Sequence, residues 1–331
     1  MGKNVKIVVT GAAGMIGSGI VRHLNDQGRH DLLLVDDLKK GEKWKNLVGK
    51  HFVDLISRHA LLDWLHNYGE GIEAIVHMGA CSDTVESDGD YLLENNFRFT
   101  VRLAEWALQR GVRFVYASSA ATYGDGSLGF EDDESRLEEL KPLNLYAFSK
   151  QLVDLWMQRE KVLDRVVGLK YFNVFGPNEY HKGRMASMVL KMSHKAQMGE
   201  AIELFQSNDP SYVHGGQMRD FIYVKDAVKM TCAFLDPKYR HVGGIYNVGQ
   251  GAAITWNDLA DALFRSLERK SQIKYVEMPP DLMRQYQKFT CASMGKLRKV
   301  FSSDPQYVST VPVSESVREY VRDYLLRWDR W

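Results

Sequence analysis

The stretch Gly11-Ala12-Ala13-Gly14-Met15-Ile16-Gly17 constrains the fold of this chain more than any other. It follows the β-branched run Val5-Lys6-Ile7-Val8-Val9-Thr10. It opens a segment whose apolar residues Ile16, Ile20, Val21 and Leu24 keep helical spacing until Gly28. A strand that passes into a helix through three glycines has few uses. Gly11 permits the tight turn, Gly14 lets backbone approach a pyrophosphate, and Gly17 lets the helix pack closely on the strand. The helix N-terminus then turns unpaired N–H groups and a partial positive charge toward phosphates.

The rest of the first half continues the alternation. Leu32–Val35 reads as a second strand, and Ile75–Met78 and Phe114–Ala117 as later ones with a helix from about Leu92 to Arg110 between them. Val166–Leu169 extends the series. Strand and helix in regular exchange imply a Rossmann-type, doubly wound parallel sheet covered on both faces, with ligands beyond the carboxyl ends of the strands. After about residue 177 the texture becomes irregular, and Ser207–Gly216 reads as a long polar loop. The 331 residues are therefore expected as a dinucleotide-binding domain, 1–176, and a smaller mixed α/β substrate lobe, 177–331, with some later segments returning to the first. The acidic run Glu131-Asp132-Asp133-Glu134 reads as a solvated loop, and Val317, Val321, Tyr324 and Trp328 as a helical stripe packed on the body.

Composition removes several classes. With 43 Lys and Arg against 42 Asp and Glu, the chain lacks the basic excess a nucleic-acid binder needs. No apolar run approaches the ~20 residues of a membrane span. Met1-Gly2-Lys3-Asn4 runs straight into the first strand, which argues against a signal peptide. Cys81, Cys232 and Cys291 form no C-x-x-C pair and are odd in number, so no disulfide or metal site is expected, and the cytosol is the expected location.

Two readings concern the dinucleotide itself. Asp36 ends the second strand, 19 residues after Gly17, where a carboxylate can accept from the adenosine ribose. An acid there favours NAD, because it repels a 2′-phosphate. Lys39, Lys40 and Lys43 follow at once and Arg58 lies past the third strand, and any of them can pair with such a phosphate. On these residues NAD and NADP both stay open.

Tyr146-Ala147-Phe148-Ser149-Lys150 sets a phenol and an ammonium on one helix face, and no other Tyr in the chain has Lys four residues on. A phenol with pKa near 10 is a poor base at neutral pH, and a nearby cation stabilises its phenolate. Such a phenolate can take the hydroxyl proton of an alcohol while hydride leaves to a nicotinamide. Upstream, Ser119 ends the fifth strand at the carboxyl edge of the sheet and can hydrogen-bond the reacting oxygen.

The T-G-x-x-G-x-x-G turn, the serine-rich strand end and Y-x-x-x-K, in this order, resemble the extended short-chain dehydrogenase/reductase family, whose members act mostly on nucleotide-linked sugars. Tyr171-Phe172-Asn173-Val174-Phe175-Gly176-Pro177 followed by His181-Lys182-Gly183-Arg184-Met185-Ala186-Ser187 is similar to its ADP-L-glycero-D-manno-heptose 6-epimerase branch. So are His77–Ser82, Arg219–Val224 and Arg284–Thr290. The resemblance runs nearly the full length. It implies an isomerase that inverts C6 of ADP-D-glycero-D-manno-heptose for the lipopolysaccharide inner core. The route it implies is a transient 6-keto sugar, with hydride lent to bound NADP and returned to the other face.

The resemblance also implies roles. Tyr146 and Lys182 would each serve one orientation of the keto sugar as acid/base, with Lys150 holding the nicotinamide ribose and lowering the phenol pKa. Met15, Ile16, Asp36, Asp37, Lys43, Arg58, Met78, Gly79, Ala80, Cys81, Ser82, Asn95 and Val174 would line a tightly held cofactor. Asn173, Ser187, Phe205, Gln206, Ser207, Asn208, Arg219 and Tyr286 would meet the substrate, Arg219 by engaging two phosphate oxygens at once. A homo-oligomer, by resemblance a pentamer, is implied too. Arg184 stands where a small residue is usual and Lys191 where histidine is expected. The loop before Arg219 is also longer than usual. These departures fall near the expected sugar-diphosphate site. The alternative is an epimerase or reductase of another nucleotide sugar, of the UDP-hexose 4-epimerase type. A sugar dehydratase would need carboxylates directly after the catalytic serine, where this chain has Ala120 and Ala121. A redox-sensing regulator on the same fold would typically lack the Tyr/Lys pair.

Overall fold

A computed structural model describes residues 5–279 and 286–331. The N-terminal Met1–Asn4 reading, and Arg284 and Gln285 of the last similar stretch, lie outside the described residues. In chain order the strands are β1 (Ile7–Thr10), β2 (Leu32–Val35), β3 (Asp54–Ile56), β4 (Ala74–His77), β5 (Arg113–Ser119), β6 (Val166–Tyr171), β7 (Asn173–Phe175), β8 (Ile202–Phe205), β9 (Met218–Tyr223), β10 (Gly244–Val248), β11 (Ala253–Thr255) and β12 (Ile273–Val276). Seven of them form one parallel sheet in the order β10-β6-β5-β4-β1-β2-β3. Every residue of β1, β2 and β4 is buried, as expected of strands covered on both faces. The strand order reverses beside β1, and the ends of β1, β4 and β5 open a crevice at that switch point.

The helices include α1 (Met15–Asp26), α2 (Leu61–Tyr68), α3 (Gly89–Leu92), α4 (Phe99–Arg110), α5 (Leu145–Arg159), α6 (Met188–Met198), α7 (Val224–Ala233) and α8 (Trp256–Ser266). Helices cover the central sheet over two apolar clusters, and α6 and α8 pack instead beside β8 and β11. Between α3 and α4 the turns widen into a π-helical stretch, Leu93–Arg98, which buries Asn95 and Asn96. Such bulges recur at functional sites because they turn extra side chains inward. Here Asn96 accepts from the Cys81 N–H at 2.8 Å and donates to the Cys81 carbonyl at 3.0 Å, fixing the loop after β4.

The chain leaves the central sheet at Phe172. β7 pairs in parallel with β9, and β11 pairs antiparallel to β9, as a second, three-stranded sheet. β8 and β12 pair in parallel. β10 then returns to the central sheet beside β6, and α7 lies against α1.

Two expectations are corrected. The acidic run is not a solvated loop throughout. Asp132 is buried and accepts from the Asn247 N–H at 2.9 Å, and Glu134 accepts from the Ile245 N–H at 2.8 Å. β10 is an edge strand, and its outward N–H groups need acceptors once covered. In the C-terminal stripe Val317 and Val321 are buried, but Trp328 is 60% exposed. The C-terminal helix Val313–Glu319 widens to π geometry over Tyr320–Leu325 and ends before Trp328, which packs against Tyr180 with ring centroids 4.5 Å apart.

Candidate active site

The crevice is built outward from the glycine turn. Gly11 has a φ of 64°, and a Cβ there would lie 2.7 Å from the Gly79 nitrogen. A Cβ on Gly17 would lie 2.1 Å from the Gly11 carbonyl oxygen. Gly14 caps α1 with backbone alone, so the first N–H groups of the helix face the crevice. This cradle, which any side chain would fill, fits the pyrophosphate of a dinucleotide.

Two carboxylates and two cations lie beside the turn, where the sequence predicts the adenosine. One Asp36 oxygen accepts from the Ala13 N–H at 2.8 Å, and the other from Lys43 Nζ at 2.6 Å. Asp37 accepts from Ser57 Oγ at 2.8 Å and pairs with Arg58 Nε at 2.8 Å. Burial alone would raise the Asp37 carboxyl, but Ser57, the Arg58 N–H and its guanidinium hold it below its ordinary value. These four residues line a pocket of about 120 Å³ together with Lys39, Tyr91 and Asn95. Asp36 is thus already tied to the glycine turn and to a lysine, a pairing that spacing alone does not reveal.

The adjoining cleft, of about 380 Å³, holds the candidate reactive groups. Met15, Ile16, Met78, Gly79, Ala80, Ser82 and Val174 form its walls, and Ser119, Tyr146, Lys150 and Lys182 all face it. Cys81 is not among the lining residues and is fixed through the Asn96 bonds. Tyr146 lies in the first turn of α5, which starts where Asn144 accepts from the Ala147 N–H at 2.9 Å. Burial raises the Tyr146 phenol, and the Ser119 hydroxyl opposes the shift. Lys150, one turn on, is 3% exposed and donates to the Ala117 carbonyl at 2.8 Å. Burial lowers its amine to about 8, with Asp154 pulling upward. At Tyr146 burial is the largest influence on the phenol, and Lys150 gives one of its N–H donors to a main-chain carbonyl.

Lys182 comes from a different element, the 3₁₀ turn Tyr180–Met185, where Gly183 breaks the helix with a φ of 50°. Its amine lies 3.9 Å from Met15 Sδ. Burial lowers it, Glu179 opposes that shift, and Lys191 adds to it.

Of the residues expected to meet the substrate, the structure brings Phe205, Arg219 and Tyr286 together. The Arg219 guanidinium lies 4.8 Å from the Tyr286 ring centroid and 5.9 Å from that of Trp256. Trp256 Nε1 donates to Tyr286 Oη at 2.8 Å, and Phe205 meets Tyr286 edge-on. Arg219 also donates to the carbonyls of Met218 and Gln287. Ser207 closes its loop internally, with its N–H on His214 Nδ1 at 3.0 Å, while Gln206 accepts from Gln217 through its carbonyl. Asn208 and Asn173 are exposed, Asn173 at the start of β7.

Other expected substrate residues have local partners. Ser187 Oγ caps α6 and donates to Glu179 at 2.6 Å. Arg184 pairs with Asp83 at 2.5 Å, and Lys191 Nζ donates to the Arg184 carbonyl at 2.6 Å. Neither Arg184 nor Lys191 lines the 380 Å³ cleft. Sequence reasoning missed Trp256, Asn96, Asn46 and Glu179. Only Glu179 carried a signal, standing three residues before Lys182.

A parallel sheet with its crevice at the switch point, a glycine cradle and a buried Tyr/Lys pair define a dinucleotide-dependent enzyme of the short-chain dehydrogenase/reductase type. The model of the NAD dependent epimerase/dehydratase family matches residues 7–249, and the chain belongs to that family, whose cofactor is a nicotinamide dinucleotide. It is 50% identical to the ADP-L-glycero-D-manno-heptose-6-epimerase of Nitratidesulfovibrio vulgaris strain Hildenborough, over 97% of this chain and 98% of the relative. Among solved structures, the Helicobacter pylori ADP-L-glycero-D-manno-heptose-6-epimerase superposes with a TM-score of 0.79 at 26% identity, covering 97% and 96% of the two chains. The UDP-N-acetylglucosamine 4-epimerase of Methanobrevibacter ruminantium M1 gives the same TM-score and identity, covering 98% and 99%.

Proposed function

We propose that this protein inverts C6 of ADP-D-glycero-D-manno-heptose, giving the L-glycero epimer used for the lipopolysaccharide inner core. The observation that carries the reading is the pair Tyr146 and Lys182, two acid/base groups from separate elements facing one cleft. The 50% identity to a curated heptose epimerase supports the choice of sugar. C6 of the heptose bears a secondary alcohol without an adjacent carbonyl, so its hydrogen is not acidic and simple deprotonation cannot epimerise it. When bound, the nicotinamide supplies the hydride acceptor and donor that this carbon requires.

The chain's own residues do the rest. The Gly11–Gly17 turn and the N-terminus of α1 hold the pyrophosphate, and Lys150 the nicotinamide ribose. Ser119 orients the reacting oxygen. In one orientation of the sugar the Tyr146 oxygen takes or returns the hydroxyl proton. In the other the Lys182 amine does so, and its burial favours the neutral form a base requires. NADP is the proposed dinucleotide, because Lys39, Lys43 and Arg58 converge on the adenosine pocket against two carboxylates. Arg219, between two aromatic rings, is the proposed diphosphate contact. A cytoplasmic homo-oligomer is proposed. Among the described residues no helix is long and apolar enough to cross a membrane.

The test is NMR of ADP-D-glycero-D-manno-heptose incubated with the protein, with UDP-glucose as control. Inversion at C6 with no change in the hexose is expected. Inversion at C4 of the hexose with an inert heptose would favour the UDP-hexose reading instead.

A further inference from the structure

Lys182 stands on a short turn, yet a base must be held to a fraction of an ångström to work. Besides Glu179, which accepts from Ser187 and Tyr320, and Tyr180, which donates to the Asp329 carbonyl, two buried side-chain amides fix this turn. Asn46, 2% exposed, donates to the Ala13 carbonyl of the glycine turn at 3.0 Å and to the Asn178 carbonyl at 2.9 Å. The same amide nitrogen lies 3.4 Å from His181 Nδ1, the residue before Lys182. Asn178, fully buried, donates to Ser18 Oγ on α1 at 2.9 Å. It also exchanges two hydrogen bonds of 2.9 Å with the main chain of Trp331. The ring of Trp331 in turn packs over Gly19 of α1. The Lys182 N–H donates to the Glu179 carbonyl at 2.9 Å, so the clamp reaches the lysine within a few residues.

We propose that Asn46 and Asn178 are positioning residues that lock the Lys182 turn to the glycine turn and α1, so that the lysine amine and the dinucleotide share one rigid frame. Neither side chain lines the cleft of about 380 Å³. Both act through Lys182, and the proposal rests on the reading of Lys182 as the second acid/base. It explains why two amides that do not line the cleft are buried with their donors satisfied, one on the glycine turn and the other on α1.

The variants are chosen to fold. Asn178 has a φ of 72°, which glycine adopts without strain, so Asn178→Gly removes the clamp and spares the backbone. Asn178→Asp keeps the size and the acceptor to the Trp331 N–H and loses both donors. Asn46→Ala cuts the link from the other side. The measurement is single-turnover oxidation of each heptose epimer by holoenzyme, followed by the absorbance of reduced nicotinamide, with bound nucleotide quantified. Lys182→Met first identifies the epimer whose oxidation depends on the lysine. Asn178→Gly and Asn46→Ala should slow that same epimer roughly tenfold to a hundredfold. The other epimer and the nucleotide content should stay near wild type, with Asn178→Asp between. The pH profile for the dependent epimer should also shift upward, because a loosened lysine regains water and its ordinary basicity. If Lys182→Met is selective while the asparagine variants spare both epimers or slow both equally, the clamp proposal is wrong. If Lys182→Met shows no selectivity, the two-base reading itself falls, and the clamp with it.

Discussion

The two lysines that face the cleft are held in opposite ways. Lys150 belongs to a 15-residue helix, α5, with its ammonium on a strand carbonyl. One turn further, Asp154 is fully buried and accepts from Lys170 Nζ at 2.8 Å, from Ser118 Oγ at 2.8 Å and from Tyr116 Oη at 3.0 Å. Lys182 belongs to a six-residue turn interrupted by a glycine, held by side-chain amides and a distant main-chain segment. The first group is fixed by the repeating geometry of helix and sheet, the second by a few long-range bonds. On the proposed reading, a reaction that must serve both faces of one sugar gains from this division: Tyr146 and Lys150 ride on α5, and the second base comes from a separate element.

That comparison can be broken in several places. The largest effect is expected from Tyr146→Phe, which removes the proposed helix-borne acid/base. Turnover should fall roughly 10²–10⁴-fold with bound nucleotide unchanged, as measured by C6 epimerisation and by nucleotide released on denaturation. Asp154→Ala strands the buried Lys170 ammonium and should cost about 3–5 kcal/mol of stability in urea unfolding. No such loss is expected from Lys182→Met, because that lysine is not part of a buried ion pair.

A smaller effect separates the sides by pH. His77 joins Thr10 at 2.6 Å and Thr100 at 2.9 Å beneath the glycine turn, and burial lowers its imidazole from 6.5 to about 3. Between those values the unfolded chain binds a proton that the folded chain refuses. Stability therefore falls on acidification below pH 6.5, by at most about 1.4 kcal/mol per pH unit from this group. Unfolding midpoints measured between pH 7 and pH 5 should show that slope, and His77→Asn should flatten it. The smallest effect belongs to Arg184→Ser, which removes an exposed ion pair with Asp83. Its stability should stay within about 0.5 kcal/mol of wild type.

What the sequence disclosed follows the same division. The glycine turn, Asp36 and the Tyr146/Lys150 pair are local patterns, each set by neighbours a few residues away, and the structure places them around one crevice. Motif resemblance also pointed to Lys182, but nothing near it in the chain announced Asn46 or the Trp331 main chain, whose bonds to Asn178 span 132 and 153 residues. Asp132 was misread for a related reason. An acidic run is solvated by default, and only the fold shows that an edge strand needs its oxygens. Arg184 and Lys191, expected near the sugar, spend their charges on Asp83 and on a carbonyl.

The most direct check of the central claim uses heptose carrying deuterium at C6. The account predicts that the deuterium stays on the inverted carbon throughout turnover in ordinary water, because the hydrogen never enters the solvent pool. Washout of the label at the rate of inversion would contradict it, and would mean that Tyr146 or Lys182 removes the C6 hydrogen as a proton.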